Sequence, residues 1–424
     1  MLDERPPGHV SSSFEDEEVA LKILVISQYF WPEEFLINGF VKGLKARGHV
    51  VEVLTGLPNY PSGSFAKGYG LFGPYKDSFE GNTVYRTPLF PRANGAGWRL
   101  ALNYVSFALF SVMRSLCLFR EKYDCILVFQ PSPVTVGIPG RVLKWITGAK
   151  LCLWVQDLWP ESLSATGGTT NPAVLHGVGN LTKWIYRGCD AVMIQSKAFK
   201  ASVINMGVSP DRIHYYPNWA DDFFSGEPAV CLGEEQNLIP EGFRIMFAGN
   251  IGVAQDFETI LSAAEITLQK NPRIQWVVIG DGRRRQWVES EIKARSLNNV
   301  HMLGRHPKKK MPAFFKVADA MLVSLKSEPI FALTIPSKIQ AYFASAKPVL
   351  ASIDGEGARV VIEAKAGLSV PAESPEDLAT AALKMAKAES SNLNKMGENA
   401  RKYGVQNFSL QKNLLRFEEM IRCL

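Results

Sequence analysis

The residues best suited to bind an anion lie in the segment Phe247-Ala-Gly-Asn-Ile-Gly252. An apolar run from Arg244 ends in Gly249 and Gly252, and apolar residues then recur at helical spacing after Asp256. Such a strand–turn–helix can bind phosphate, because backbone N–H groups and the helix dipole favour negative charge. Asp256 is expected to cap the helix. The alternative is an ordinary turn that binds nothing, and the motif alone does not decide.

Other charged residues also follow apolar runs. Asp157 comes after the run Lys150–Val155, where a carboxylate could hydrogen-bond a reacting hydroxyl. Three arginines at 283–285 follow the turn Gly280-Asp-Gly282, and Lys338 opens a predicted helix. Each has a plain alternative: Asp157 could be a helix cap, and the arginines could form a solvated first helical turn.

Composition restricts the class of protein. The 424 residues are 46% hydrophobic and 21% charged, which is typical of a globular protein with two or three domains. A net charge of +6 favours anionic partners such as nucleotide phosphates or an acidic membrane surface. We expect no nucleic acid partner. The six cysteines are scattered without a CxxC pair, and no HExxH motif occurs, so buried thiols, a reducing compartment and no metal site are expected.

Buried-strand runs alternate with helical segments along most of the chain. Residues 1–21 are polar and acidic and are expected to form a flexible tail. Two α/β domains with parallel sheets are predicted, at residues 22–217 and 218–405, and ligands of such sheets bind at the carboxyl ends of the strands. The predicted strands are 22–27, 50–55, 123–129, 150–155, 191–196, a run from 244, 274–279, 300–303, 320–323, 348–352 and 368–370.

The segment 98–119 is almost wholly apolar or small, but Asn103 and Arg114 interrupt it. We expect a helix at a membrane surface, with residues near Phe107 and Phe110 towards lipid and arginines towards headgroups. A core helix of the first domain is the alternative. The arginines in or near this segment are Arg86, Arg92, Arg99, Arg114 and Arg120.

Several motifs, taken in order, resemble the GT-B family 4 glycosyltransferases, and among them the WbuB- and WcaI-like enzymes of bacterial surface-polysaccharide synthesis. They are Lys22–Thr55 with Gly56-Leu-Pro-Asn-Tyr-Pro61, Val155-Gln-Asp-Leu-Trp-Pro-Glu161, Gly249-Asn-Ile-Gly252, Gly280-Asp-Gly282 and Ile335-Pro-Ser-Lys-Ile-Gln340. The resemblance implies an α/β, GT-B fold of two Rossmann-like doubly wound parallel-sheet domains facing a central cleft. A last helix at 406–424 would pack back on the first domain.

The resemblance also implies a function. The second domain would bind a UDP-sugar, and the first would bind a polyprenyl-diphosphate-linked sugar as acceptor. Transfer would retain the anomeric configuration and need no metal or other cofactor. The sugar would be an N-acetylated hexose or deoxyhexosamine, and the enzyme would lie on the cytoplasmic face of the inner membrane through helix 98–119.

Site residues follow from the same resemblance. The catalytic candidates are Asp157, Lys338 and Glu328. The donor-binding candidates are Gly249, Asn250, Gly252, Gly280, Asp281, Arg283, Arg284, Gly304, Arg305, Ser337 and Gln340. The acceptor-binding candidates are Asn38, Gly39, Asn59, Tyr60, Gln130 and Glu161.

The chain departs from the family pattern at two places. Asn250 stands where family members often carry a cation, so the positive charge for the diphosphate must come from Lys338 or from the arginines after Gly282. The usual pair of glutamates is replaced by Leu333 and Ala341. A UDP-sugar epimerase of the same fold and a non-catalytic partner subunit are therefore alternatives.

Overall fold

The computed structural model describes residues 20–93, 97–165 and 168–424. The expected tail lies outside the described residues up to position 19. Two separate parallel-dominated sheets are present, one of eight and one of six strands.

The first sheet has the strand order β3-β4-β2-β1-β5-β6-β7-β8, and all its pairs are parallel except β3 with β4. Its centre consists of the continuous apolar runs, which are buried on both faces as expected for a parallel sheet. The short, more polar strands β3, β4 and β8 had no counterpart in the sequence prediction. The bounds are β1 (Lys22–Ile26), β2 (Val50–Gly56), β3 (Lys76–Phe79), β4 (Asn82–Thr87), β5 (Cys125–Gln130), β6 (Lys150–Val155), β7 (Ala191–Ile194) and β8 (Ile213–Tyr215).

Helices cover both faces of this sheet. They are α1 (Leu36–Ala46), α2 (Gly97–Ser115), α3 (Gly137–Thr147), α4 (Glu161–Ala165), α5 (Pro172–Arg187) and α6 (Phe199–Asn205). The apolar residues Phe40, Val41 and Leu44 of α1 are buried, and Gly48 after this helix has a left-handed φ of 89°, as is common after the end of a helix.

The second sheet has the order β11-β10-β9-β12-β13-β14, the arrangement of a doubly wound nucleotide-binding fold. Its strands are β9 (Phe243–Ala248), β10 (Ile274–Ile279), β11 (Val300–Gly304), β12 (Ala320–Ser324), β13 (Val349–Ser352) and β14 (Gly367–Val370). The prediction of two Rossmann-like parallel-sheet domains is confirmed. In each sheet the strand order reverses at one point, and crevices for ligands form at such points.

The helices of the second domain begin after β9. They are α7 (Phe257–Lys270), α8 (Arg285–Ala294), α9 (Met311–Val317), α10 (Pro329–Ala332), α11 (Ser337–Ala344), α12 (Gly355–Glu363), α13 (Pro375–Ala386), α14 (Ser390–Asn407) and α15 (Leu410–Cys423). Short 3₁₀ turns occupy Val134–Val136, Pro210–Arg212, Asp222–Phe224, Gly233–Leu238, Val253–Gln255 and Lys308–Lys310.

The last helix, α15, returns to the first domain and packs on α1. Its residues Leu414 and Phe417 are fully buried, and Phe417 meets the ring of Phe40 edge-on at 5.3 Å between centroids. A polar contact fixes the register of this helix. Glu418, buried to 2% exposure, accepts hydrogen bonds from Arg47 (2.7 Å) and pairs with His49 (2.7 Å).

The cysteines correct one expectation. Cys125, Cys152 and Cys189 are buried free thiols as predicted, but Cys117, Cys231 and Cys423 are exposed. The last three lie outside continuous apolar strands, so their apolar neighbours in sequence were a poor guide to burial.

Replacing Glu418 by alanine should lower the free energy of unfolding by about 3 kcal/mol, because the buried His49 and the partly buried Arg47 lose a charged partner. Burial alone would raise the pKa of Glu418, but Arg47 and His49 outweigh burial and lower it. The stabilisation is therefore present above the ordinary glutamate pKa and is lost as pH falls through the lowered value. Urea unfolding curves measure it.

The exposed neighbour Glu419 supplies the matched control. We expect Glu419→Ala to leave the unfolding midpoint nearly unchanged. Equal midpoints for Glu418→Ala and Glu419→Ala at neutral pH would contradict this role of Glu418.

Candidate active site

Two backbone turns at the carboxyl ends of β9 and β10 lie directly against each other. Gly249 and Gly280 both have a φ of 146°, a conformation that residues with a side chain rarely adopt. A Cβ atom on Gly280 would overlap the carbonyl group of Gly249, and one on Gly282 would overlap the backbone of Ile251. Glycine is thus required here because backbone packs on backbone.

The same packing uses N–H groups that the sequence assigned to phosphate. The N–H of Gly249 donates to the carbonyl of Ile279 (2.9 Å), and that of Gly252 donates to Oε1 of Gln255 (3.0 Å). The expectation that these two glycines offer free backbone donors is therefore wrong. The exposed Asn250 contacts the same Gln255 oxygen through Nδ2 at 3.4 Å.

Asp256 does not cap α7 through its side chain. It has a left-handed φ of 48°, and its side chain makes no capping hydrogen bond, so the predicted cap is wrong. One of its carboxylate oxygens is buried without a hydrogen-bond partner in the described residues.

Lys338 brings a cation to the glycine turn. Its side chain lies so close to Gly249 that a Cβ atom there would be 2.7 Å from Cε and 3.0 Å from Nζ. The ammonium group also lies over the ring of Phe247, 4.9 Å from its centroid. Burial lowers the pKa of Lys338 to about 8. This partly buried cation sits at the carboxyl end of β9, the position at which the sequence required one.

The arginines predicted for the donor site divide into two groups. Arg284 pairs with Glu258 at 2.7 Å, and Arg285 pairs with Glu289 at 2.8 Å and lies beside Gly304. These surface ion pairs favour the alternative of a solvated first helical turn for Arg284 and Arg285. Arg283 and Arg305 are exposed and have no ion-pair partner within the part of the chain that the structure describes.

The remaining donor candidates differ in orientation. Ser337 and Asp281 are exposed, at the start of α11 and in the turn after β10. Gln340 is buried, and its amide lies 3.1 Å from the carbonyl oxygen of Ser337 and 3.0 Å from that of Pro336. Its side chain thus faces its own helix, contrary to the donor contact expected of it. Glu328 is exposed and precedes α10.

Asp157 lies at the carboxyl end of β6 and is partly buried. The hydroxyl of Ser162 donates to its carboxylate, and Nε2 of Gln130 donates to its backbone carbonyl at 2.9 Å. Burial raises the pKa of Asp157 to about 6, and the nearby charge of Glu161 acts in the same direction. The predicted acceptor residue Gln130 thus supports Asp157 from the core.

The two domains touch beside Asp157. Ile330 of α10 and Leu333 pack against the apolar core of the first domain, and α10 contacts α4. Glu161 begins α4, and its Oε2 is buried without a hydrogen-bond partner in the described residues. Where family members often carry the first glutamate, this chain therefore uses Leu333 for an apolar contact between domains.

The other acceptor candidates are mostly structural. Asn38 and Gly39 lie inside the first turn of α1, not in the turn before it. Asn59 is buried and accepts from the backbone N–H of Arg92 (3.3 Å) and from Asn103 (3.4 Å). Tyr60 is exposed and can contact a ligand.

Sequence reasoning missed Glu33. This carboxylate is buried, and it accepts from the backbone N–H groups of Asn59 and Tyr60 at 2.7 Å each and of Phe30 at 3.2 Å. It therefore joins the loop after β1 to the loop after β2. Burial raises the pKa of Glu33 to about 7 despite these hydrogen bonds. A charged residue after a strand end was the available signal, the same one that identified Asp157.

Helix α2 shows one exposed apolar face, which we call the α2 apolar face. It consists of Trp98, Leu102, Val105, Leu109 and Met113. Leu116 and Phe119 beyond the helix are exposed as well. Within the described residues, no helix has both the length and the apolar character needed to cross a bilayer.

Two expectations about this region are wrong. Phe107 is fully buried in the core and does not face outward. Arg86 is 1% exposed and pairs with Asp77 at 2.9 Å, so it cannot reach a headgroup. Both follow from tertiary packing, which the sequence pattern does not reveal.

The described residues contain no group of three or more histidine, cysteine or acidic side chains placed to hold a metal ion. Metal independence stays a prediction.

Comparison with protein families gives the class. Residues 36–219 match the glycosyl transferase 4-like domain, and residues 234–403 match the glycosyl transferases group 1 family. The chain therefore belongs to the family 4-like glycosyltransferases with the GT-B fold, as its motifs predicted.

Individual relatives agree with this assignment. The chain is 27% identical over 331 residues to the colanic acid biosynthesis glycosyl transferase WcaI of Escherichia coli (strain K12), covering 75% of this chain and 80% of the relative. It is 28% identical over 346 residues to the glycosyltransferase WbjE of Pseudomonas aeruginosa, covering 79% and 83%.

Solved structures share the fold. Anabaena Alr3699/HepE in complex with UDP superposes with a TM-score of 0.70 at 14% identity, covering 96% of this chain and 100% of that chain. Sucrose-phosphate synthase from Thermosynechococcus elongatus gives 0.73 at 16% identity, covering 95% and 98%.

Replacing Glu33 by glutamine should make stability less dependent on pH. Because the folded state raises the pKa of Glu33 from 4.5 to about 7, it binds a proton that the unfolded chain releases, and wild-type stability falls as pH rises through this interval. The variant should therefore gain up to about 3 kcal/mol relative to wild type between about pH 5 and pH 8. Urea unfolding at both pH values measures this, with the exposed Glu34→Gln as control. If the difference in unfolding free energy between wild type and Glu33→Gln were the same at both pH values, the assignment of Glu33 would be contradicted.

Proposed function

We propose that the protein transfers a sugar from a UDP-sugar to a polyprenyl-diphosphate-linked sugar, with retention of configuration, in surface-polysaccharide or O-antigen synthesis. Three observations support the substrates: the GT-B cleft, the relatives' names, and the UDP bound by a structure of the same fold. The sugar is an N-acetylated hexose or deoxyhexosamine. The site of action is the cytoplasmic face of the inner membrane.

The position of Lys338 against Gly249 is the observation that carries this proposal. Departure of UDP leaves negative charge on the diphosphate, and a fixed cation at that point stabilises the transition state. Asn250 and Gln255 provide no positive charge at the turn, so Lys338 supplies it. Arg283 and Arg305, exposed beyond the neighbouring strands, can add to it.

Asp157 faces the reaction from the first domain. Its ionised carboxylate would accept a hydrogen bond from the attacking hydroxyl and orient it towards the sugar. In retaining transfer the departing diphosphate takes the hydroxyl proton, so Asp157 serves for orientation. Because its pKa is about 6, it is ionised at neutral pH.

Measuring UDP release with and without a prenyl-diphosphate-linked sugar tests this function. Lys338→Met should weaken UDP binding about tenfold or more, since a hydrogen bond to a charged group is lost. Asp157→Asn should lower turnover with little effect on UDP binding. In wild type, kcat/KM should fall below about pH 6 as Asp157 of the free enzyme protonates and above about pH 8 as Lys338 loses its proton.

Lys347→Met is the matched control for Lys338. Burial lowers the pKa of Lys347 too. This residue lies just before β13, and its Nζ donates to the carbonyls of Lys316 and Ala318 (2.8 Å each) and not towards the glycine turn. Acceptor-dependent transfer unchanged by both Lys338→Met and Asp157→Asn would refute the mechanism. UDP-sugar epimerised without acceptor would instead identify an epimerase, and no turnover with any donor would favour a non-catalytic subunit. Activity that survives EDTA would support metal independence.

The α2 apolar face is the proposed contact with the membrane. Its five apolar side chains repeat along one side of the helix, and Arg99 at its start lies over Trp98, 5.1 Å from the ring. Arg120 likewise lies over Phe119 at 5.4 Å. Aromatic rings beside cations suit the headgroup region of an anionic bilayer.

Replacing both Val105 and Leu109 by aspartate should reduce binding to vesicles that contain phosphatidylglycerol by about tenfold or more, because two apolar contacts with lipid are lost. Sedimentation with vesicles measures this. Aspartate at Ile362 and Val405, which are as exposed on the second domain, is the control. Equal vesicle binding by the two double variants would contradict the proposal.

A further inference from the structure

Arg92 follows the carboxyl end of β4 and lies on a group of aromatic side chains. Its guanidinium group is 5.1 Å from the centroid of the Tyr60 ring and 5.9 Å from that of Tyr29. Phe35 stacks on Tyr29 at 5.3 Å and contacts Tyr60 at 5.3 Å, so the three rings support one another. We call these three rings the aromatic platform. They hold the guanidinium group in one place.

Buried amide groups fix the backbone around Arg92. The N–H of Arg92 donates to Oδ1 of Asn59 at 3.3 Å. Asn103 of α2 donates to the carbonyl of Phe90 at 2.6 Å, and its own Oδ1 accepts from Gln28 at 2.7 Å. The strand-end loops and α2 therefore position this arginine together, as expected for a preformed binding site.

The charge of Arg92 is not neutralised by its surroundings. In residues 20–93, 97–165 and 168–424 it has no carboxylate partner, and its side chain makes one long hydrogen bond, to the hydroxyl of Tyr29 at 3.4 Å. The residue is partly buried, so its cation has lost part of its hydration. A guanidinium fork with free donors and an aromatic support matches an anion with several oxygens, above all phosphate.

Arg92 and Asp157 both lie near one side chain of α2, that of Tyr104. Tyr104 of α2 responds to both charges of the cleft: burial raises its pKa, the positive charge of Arg92 opposes the rise, and Asp157 adds to it. Tyr104 also adjoins Val105 of the α2 apolar face in sequence. Arg92 and Asp157 therefore act on the same side chain of α2, the helix that also carries the α2 apolar face, as a site for a lipid-linked diphosphate beside a sugar requires.

We propose that Arg92, supported by Tyr29 and Tyr60, binds the diphosphate of the lipid-linked acceptor. This inference rests on the proposed function, since it assigns one group of that acceptor to one side chain. The donor diphosphate is held by Lys338 in the other domain, so the two diphosphates have separate cations.

Binding of geranyl diphosphate, measured by calorimetry with the donor site saturated by UDP, tests the inference. Arg92→Gln should weaken this binding about tenfold or more. Arg92→Lys keeps the charge but not the forked set of N–H donors, so its affinity should lie between those of wild type and Arg92→Gln. UDP binding should be the same in all three proteins. Arg141→Gln is the matched control, since Arg141 also lies over an aromatic ring, that of Trp184 at 5.0 Å, but between α3 and α5.

Geranyl diphosphate binding that Arg92→Gln leaves unchanged would overturn the inference. If wild type bound geraniol as tightly as geranyl diphosphate, the inference would also be overturned, because the anion would contribute nothing. If it bound inorganic pyrophosphate equally tightly, the inference would likewise fail, because the site would then be one for a free anion. A loss of vesicle binding without loss of geranyl diphosphate binding would assign Arg92 to headgroups instead. If Arg92→Gln no longer binds geranyl diphosphate and wild type transfers no sugar, the proposed function is refuted but the assignment of Arg92 to a diphosphate site is retained.

Discussion

The contact between the backbone turns after β9 and β10 determines what the second domain can use to bind an anion. With Gly280 and Gly282 lying against Gly249 and Ile251, no side chain fits between the turns, and the N–H groups of Gly249 and Gly252 are already bonded. These two N–H groups are therefore not available to a diphosphate at this position, and a cation must come from elsewhere in the chain. Lys338 lies at the start of α11, and its side chain occupies the space that the Cβ atom of any other residue at position 249 would take.

Burial tunes the charges on both sides of the cleft. Lys338 becomes a weaker base and Asp157 a weaker acid through the same loss of hydration, so each keeps its charge only within a limited range of pH. Between about pH 6 and 8 both groups are ionised. Partial burial also strengthens their interaction with a substrate, because fewer water molecules screen them. In the proposed mechanism, the pH range for activity is thus set by how deeply the two side chains lie in the protein.

The sequence was sufficient to predict the central strands of both sheets and the need for a cation, but not the hydrogen-bond partners of the side chains. The run Lys150–Val155 became β6 with the same bounds, whereas the polar edge strand β3 carries no apolar run and was missed. Absence of a cation at Asn250 predicted recruitment of Lys338, but only packing shows that the two segments meet. Asp256 failed as a cap because its backbone is left-handed, with a φ of 48°, whereas a capping residue is normally extended. Glu33 was overlooked although it follows a strand as Asp157 does.

Helix α15 has a consequence for how the chain reaches its folded state. It covers apolar residues of the first domain, including Phe40, yet it follows the entire second domain in the sequence. During synthesis that surface of the first domain stays uncovered until roughly two hundred further residues have been added. At ordinary elongation rates this takes about ten seconds or more. The uncovered aromatic surface is a natural binding site for chaperones in that interval. Completion of the first domain is thus coupled to the end of translation, and a truncated chain would carry a permanently exposed core.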